Sequence, residues 1–439
     1  MAEAATVGPV SKADEFPDLV LFTDAFPFGK GEKPFLIPEI EALSKQFTIT
    51  LVTQVSTELQ NDCESTSVLP DSVSVVVVPP FRATDYARAL PGVLTSRLLM
   101  KELRQLLDDG ISARRLMDSF RTLLAAEAFR NACVRKGVFR HSEDKLYYSF
   151  WFTYKLLALC LEVERRRFPL KVLGRVNGYD LYNERNKNGR QPFQRVMRDY
   201  CSCVLFGSST ALAYFVSHFG GEAFDGQFFL SRLGVRAGVQ EPRLRSRKPF
   251  LLVSCSNVVP LKRVTMIAEA VARLGNPDIR WVHFGDGPDL SQARRIVDAS
   301  GCNAWLPGAV PNSHILSFYR DHEPGCFIAL SETEGGCPVA LQEALSFGLP
   351  AIVTAAGGAQ YEGVDGNGVR LPDSVGVDDV AEAIDALYRL DDDAWMRMSS
   401  RSLELWSDSF NADSCKSQLL TALNLLSSSE ARNTARYDT

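Results

Sequence analysis

Residues 326–354 read CFIALSETEGGCPVALQEALSFGLPAIVT, and this stretch decides the fold. Cys326–Leu330 and Ala351–Thr354 are apolar runs without polar alternation, the pattern of strands buried on both faces of a parallel sheet. Between them lie a glycine-bearing loop, Ser331–Cys337, and a helix that opens at Pro338 and stops near Gly348. Proline suits a first helical turn because no N–H is needed there. Gly335-Gly336 lets backbone approach a ligand closely. The first N–H groups of the helix and its dipole favour an anion such as a diphosphate. Glu334 in the loop and Glu343, about one and a half turns into the helix, would repel phosphate. They suit hydroxyl groups instead, one of a sugar and one of a ribose. Taken alone, the same residues also fit a surface loop followed by a helix-face glutamate.

The same alternation extends in both directions. Downstream of residue 249 it gives strands Phe250–Ser254 and Trp281–Phe284, with Val264, Ile267, Val271 and Leu274 on one stripe of a helix over Lys262–Leu274. Upstream it gives Leu19–Thr23, a loop with Gly29 and Gly31, a helix from about Pro34 to Phe47, then strands Ile49–Thr53 and Val73–Val78. Strands resume at Leu146–Ser149, Val172–Val176 and Cys203–Phe206. Residues 82–137 hold no strand; they are Arg-rich and Leu-periodic, which predicts a helical insertion. Residues 241–249 (EPRLRSRKP) read as a linker. The expected architecture is α/β: two doubly wound, Rossmann-like domains, 1–243 with its insertion and 249–407, facing a cleft. A helix over 408–428 returns toward the first domain and a flexible tail, 429–439, follows. Ligands of such sheets bind at the carboxyl ends of the strands.

Composition narrows the classes. The chain has 439 residues and 48.6 kDa, with 46% hydrophobic and 23% charged residues, so neither a disordered nor a fibrous chain is expected. No repeat of 20–50 residues is evident. The N-terminus lacks a basic region and an apolar core, so no signal peptide is visible, and no stretch reads as a membrane span. Ten scattered cysteines fit free thiols in a reducing cytosol. The net charge of −5 conceals an asymmetry. Residues 1–80 carry 4 basic and 12 acidic side chains, residues 81–248 carry 30 and 16, and residues 249–439 carry 14 and 25. The basic middle fits either an ordinary solvated surface or a face for phosphorylated lipid or an anionic membrane; no nucleic-acid motif accompanies it. The five histidines are dispersed, and no metal site is expected. Asp391-Asp392-Asp393 reads as a helix cap rather than a metal motif.

Several segments together carry a family resemblance. Residues 331–350 resemble the C-terminal signature of family 4 retaining glycosyltransferases of the GT-B fold. FLLVSCSNVVPLKRV from Phe250 resembles that family's first C-domain strand and basic diphosphate turn. WVHFGDGP from Trp281 resembles its second strand turn, and LPGAVPNSHILSFY from Leu306 the loop bordering the base. RVNGYDLYNER from Arg175 resembles the loop facing the donor sugar. TDAFPFGKGEKPFLIPEIEAL from Thr23 resembles the opening βα unit of the branch that builds bacterial capsule, exopolysaccharide and lipopolysaccharide. The resemblance spans nearly the whole chain except 82–137 and the termini.

It implies a UDP- or GDP-sugar donor and no other cofactor. The acceptor implied is a saccharide or a polyprenyl-pyrophosphate-linked sugar, met in the cytoplasm at the inner membrane face. The residues implied in catalysis are Glu334, Lys262 and Asn177. Those implied in donor binding are Asn257, Lys262, Arg263, Gly335, Gly336, Glu343, Gly29 and Gly31. Three departures stand out: eight residues rather than seven separate Glu334 from Glu343, Asn257 stands where many members have Arg, and Asn177 where His is common. They keep two other readings open, a non-catalytic nucleotide-sugar-binding scaffold and a GT-B epimerase.

Overall fold

A computed structural model describes residues 16–29, 31–60, 69–141, 144–166, 170–220, 227–239, 241–356 and 362–428. The expected tail at 429–439 and the first fifteen residues lie outside them. The first sheet holds β1 (Asp18–Phe22), β2 (Thr48–Gln54), β3 (Val73–Val78), β4 (Leu146–Ser149), β5 (Lys171–Val176), β6 (Cys203–Phe206) and β7 (Phe228–Leu230). Its spatial order is β3-β2-β1-β4-β5-β6-β7. The second holds β8 (Phe250–Cys255), β9 (Ile279–Phe284), β10 (Ala304–Gly308), β11 (Cys326–Ala329), β12 (Ala351–Thr354) and β13 (Gly368–Leu371), in the order β10-β9-β8-β11-β12-β13. Neighbours pair in parallel: Phe22 of β1 lies beside Val52 of β2 and Ser149 of β4, and Val253 of β8 beside Val282 of β9 and Phe327 of β11. Both sheets are thus doubly wound and Rossmann-like, as their uninterrupted apolar runs predict.

Each sheet reverses direction of growth once, between β1 and β4 in the first and between β8 and β11 in the second. At such a switch point the connecting loops diverge to opposite faces and leave a crevice at the carboxyl ends of the strands. The loops after these four strands are therefore where ligands belong.

The strands that the apolar pattern does not reveal are β7, β10 and β13, and all three are sheet edges. An edge strand needs only one covered side, so β13 carries Arg370 within its ladder, and β10 carries Pro307 at a register shift between Trp305 and Gly308.

By compactness the chain divides into two units. The first is residues 1–174, 196–202 and 423–439; the second is 175–195 and 203–422, so the division passes through β5. In the first unit three helices, Ala83–Leu94, Arg97–Asp108 and Ala113–Arg135, fill the interval between β3 and β4. Ser96 and Ser112 cap the second and third by accepting from Leu98 N and Arg115 N. Not all of the insertion's arginines face water. Buried Arg130 donates to Glu127 and Glu162 at 2.9 Å each, and Arg165 pairs with Glu127. In the second unit, residues 241–249 form neither helix nor strand. They are nonetheless docked: buried Arg245 donates to Leu390 O at 2.6 Å and lies over the rings of Phe250 and Trp395.

Candidate active site

The second sheet's switch point brings Lys262 and Glu334 together. After β8 the chain makes a short 3₁₀ turn, Pro260–Lys262, and enters the helix Val264–Leu274. After β11 it runs through the glycine loop into the helix Val339–Ser346. The two loops are tied by backbone, Glu332 N donating to Leu261 O at 2.9 Å. Across that tie Lys262 Nζ donates to Glu334 Oε1, and both side chains are largely shielded from water.

The loop 333–337 is clamped through its carbonyl oxygens. Arg185 donates to Thr333 O at 2.6 Å and to Thr333 Oγ1 at 2.7 Å. Tyr182 Oη donates to Glu334 O at 2.8 Å, Ser208 Oγ to Gly335 O at 3.2 Å and Gln342 Nε2 to Cys337 O at 2.8 Å. The N–H groups of Gly335 and Gly336 have no acceptor among the described residues. With the start of the Val339 helix they form a run of donors and a positive dipole end, the elements of an anion site. Gly335 is needed for another reason as well. A Cβ there would stand 2.2 Å from Gly178 N, so the loop packs backbone to backbone against Asn177-Gly178. Cys337 is buried, and burial pushes its thiol far up, while Glu334 still reaches Lys262.

Glu343 is the fifth residue of its helix and is only 8% exposed. Burial raises its carboxyl above the usual range, and a hydrogen bond from Asn312 Nδ2 to Oε1 at 2.9 Å partly opposes the rise. Burial also pushes the Cys255 thiol up to about 12 and holds the Tyr319 hydroxyl high, and the Glu343 charge adds to both. A carboxylate held this way has one acceptor oxygen committed to Asn312 and the other available to a hydroxyl.

The remaining candidates fall in different places. Arg263 adopts a left-handed conformation (φ 50°), and its guanidinium turns to Glu332 at 3.3 Å and Asp373 O at 3.0 Å. Asn257 is exposed on the same loop. Asn177 caps the short helix Gly178–Leu181, its N–H donating to Asp180 Oδ1 at 2.6 Å. Gly29 and Gly31 belong to the first unit, in the loop after β1. That loop folds around Glu32, whose carboxylate accepts from the N–H groups of Asp24, Ala25 and Phe26 and from Trp151 Nε1, at 2.7–3.0 Å. His283 is a core residue: Nδ1 lies 2.8 Å from Ser254 Oγ, and burial lowers its pKa to about 4. Gly285-Asp286-Gly287 is packed against the Ser256–Val258 backbone, where a Cβ on Gly285 would meet Ser256 O at 1.8 Å. Asp391 caps the helix Asp392–Leu405 by accepting from Ala394 N at 2.7 Å. Among the described residues no group of His, Cys, Asp and Glu could hold a metal ion.

The clamp residues Tyr182, Arg185 and Ser208, and the partners Asn312 and Glu32, are not singled out by reading the sequence. All but Ser208 do lie within segments that carry the resemblance, Tyr182 and Arg185 in the one from Arg175, Asn312 in the one from Leu306 and Glu32 in the one from Thr23, which was their one visible signal.

Comparison with known proteins agrees with this geometry. Residues 239–402 match the family described as glycosyl transferases group 1. Anabaena Alr3699/HepE, solved with UDP and glucose, superposes with a TM-score of 0.65 at 15% identity, over 93% of this chain and 100% of that one. The fold is GT-B. Two other GT-B structures superpose comparably. The lipopolysaccharide outer core galactosyltransferase WaaB gives a TM-score of 0.63 at 13% identity, covering 93% of this chain and 99% of that one. The sucrose-phosphate synthase of Thermosynechococcus elongatus gives 0.65 at 16%, with the same coverage. No curated protein sequence matches the chain.

Proposed function

We propose that this protein is a retaining glycosyltransferase that moves a hexosyl group from a nucleotide-sugar donor to a saccharide or lipid-linked acceptor in cell-surface polysaccharide synthesis. The observation that carries the reading is the Lys262–Glu334 pair at the switch point, beside the N–H groups of Gly335 and Gly336, which have no acceptor among the described residues. Binding a donor trades that pair for two better matches. Lys262 turns to the diphosphate, whose negative charge grows as the sugar leaves, and Glu334 accepts from a hydroxyl of the transferring sugar. The loop N–H groups and the Val339 helix receive the phosphate. Glu343 accepts from the ribose. The acceptor oxygen bonds to the anomeric carbon on the face the diphosphate leaves, and its proton passes to the leaving phosphate oxygen. Configuration is retained, and no metal ion enters this scheme.

HepE is described with UDP and glucose, which makes UDP-glucose the first donor to test. WaaB acts on lipopolysaccharide outer core by its description, which supports a cell-surface acceptor, and the synthase shows the same fold serving a different one. A peripheral place on the inner membrane face is part of the proposal. Eight of the fifteen exposed large apolar side chains among the described residues lie between Tyr86 and Met117, including Leu94 at 65% and Leu107 at 67% exposure. Arg97, Arg104 and Arg114 are exposed among them, alongside Asp108 and Asp109. Among the described residues no helix is long and apolar enough to cross a membrane.

The test is a thermal-shift screen with UDP, GDP and ADP, followed by turnover with the matching sugars. Stabilisation by one nucleotide at about 100 times its Kd is worth about 2.7 kcal/mol. Binding followed by transfer or slow hydrolysis supports the enzyme. Binding without either favours a scaffold, interconversion of sugars without acceptor favours an epimerase, and no binding removes all three.

A further inference from the structure

The first sheet has its own switch point, and the residues there are built with care. β1 runs into Thr23 and Asp24; β4 runs into Phe150, Trp151 and the helix Tyr154–Arg165. From that helix Lys155 extends back under the β1 loop. Its side chain is 3% exposed, and Nζ donates to Thr23 O at 2.6 Å, Asp24 O at 3.2 Å and Asp24 Oδ1 at 2.7 Å. The backbone of Asp24 is fixed from both sides: its N–H donates to Glu32 at 3.0 Å, and its carbonyl also accepts from Thr53 Oγ1 and Gln54 N. A buried ammonium is costly unless paired, and Asp24 supplies its carboxylate.

Only one polar atom of Asp24 is left over. The side chain is 53% exposed, and Oδ2 has no partner among the described residues. A carboxylate oxygen, oriented by a buried cation and three backbone or side-chain hydrogen bonds, therefore faces solvent at the carboxyl end of the first sheet, in the crevice where this topology binds ligands. An ionised carboxylate accepts strongly from hydroxyl groups and repels phosphate. We propose that Asp24 is the acceptor-binding residue of the first unit, taking a sugar hydroxyl on Oδ2, and that Lys155 is its positioning residue. This rests on the reading of the protein as a sugar transferase.

Asp24→Asn separates the role from folding, because the amide oxygen still accepts from Lys155 while the free oxygen becomes a donor. The probes are octyl glycosides of glucose, galactose, mannose and N-acetylglucosamine, observed by saturation-transfer NMR, with UDP affinity and melting temperature as controls. The wild type should bind at least one glycoside, and Asp24→Asn should weaken it by about 10-fold or more, the usual loss for a charged hydrogen bond. UDP affinity should stay within about twofold. Lys155→Met should weaken the same glycoside, and Lys155→Arg should recover part of the loss, since a structural role alone would move only the melting temperature. Unchanged glycoside affinity in Asp24→Asn, or a wild type that binds UDP but none of the glycosides, overturns the role of Asp24 and leaves the transferase reading standing. A wild type that binds neither glycosides nor any nucleotide overturns both.

Discussion

In the sequence, Glu334 and Glu343 stand out beside loop glycines and a helix start, and Lys262 stands out only through the family resemblance. What could not be read was how each is held, since hydrogen bonds such as Asn312 to Glu343 join residues 31 positions apart. That bond leads to a prediction. Burial raises the Glu343 carboxyl, so folding disfavours its charged form relative to the unfolded chain. Stability is therefore fully present below the unfolded carboxyl range and is lost as pH rises through it to the folded value. Glu343→Gln keeps the shape and the Asn312 bond. It should be at least as stable as wild type at pH 7–8 by urea unfolding, with the gap closing below about pH 4.5. It should also bind UDP about 10-fold or more weakly by calorimetry. Equal UDP affinity would remove Glu343 from the ribose site. His283 titrates in the opposite sense. Its folded pKa is lowered to about 4, so the unfolded chain takes up the proton first and stability falls as pH drops from about 6.5 toward 4. Between pH 7.5 and 5, His283→Gln should lose about 2 kcal/mol less than wild type; parallel curves would contradict this.

At the scale of elements, the interior strands and the βαβ units were readable, whereas the edge strands β7, β10 and β13 were not. The edge strand β3 was legible all the same as a Val-rich run; β7 is only three residues long, β10 is interrupted by Pro307 and Gly308, and β13 carries Gly368 and Arg370. The insertion was visible as helical, but its charge was misleading in part, because Arg130 serves buried ion pairs with Glu127 and Glu162. The glycine loop shows why a motif alone does not reveal a reason. Gly335 looks like room for a ligand, yet its missing Cβ is also room for Gly178. Gly335→Ala should therefore cost about 1–3 kcal/mol of stability, the usual range for an overpacked contact, and lower donor turnover. Gly31→Ala, with nothing within 4 Å of the added carbon, should be neutral within about 0.5 kcal/mol. Thermal melts of the two variants check this; equal melting temperatures would mean that the loop yields and the close packing is not needed.

For the whole molecule, charge asymmetry and exposed apolar side chains converge on residues 82–137, and the membrane proposal stands on that convergence. Liposomes with anionic lipid should sediment the wild type more than neutral liposomes do, with the difference fading at high salt, because each basic side chain contributes about 1 kcal/mol near such a surface. A variant with Arg97, Lys101, Arg104, Arg114 and Arg115 changed to Gln should lose the difference. Equal, salt-insensitive sedimentation of both proteins would leave the insertion as a helical cap. The central claim, that the β8 and β11 loops form a donor site, has a more direct test. UDP release from UDP-glucose and other UDP- and GDP-sugars is measured, with and without glycoside acceptors, for wild type and Lys262→Ala. The account predicts measurable release with at least one donor and a fall of about 10²–10³-fold in the variant, the usual loss of one preorganised electrostatic contact. Wild-type turnover retained by Lys262→Ala would contradict it.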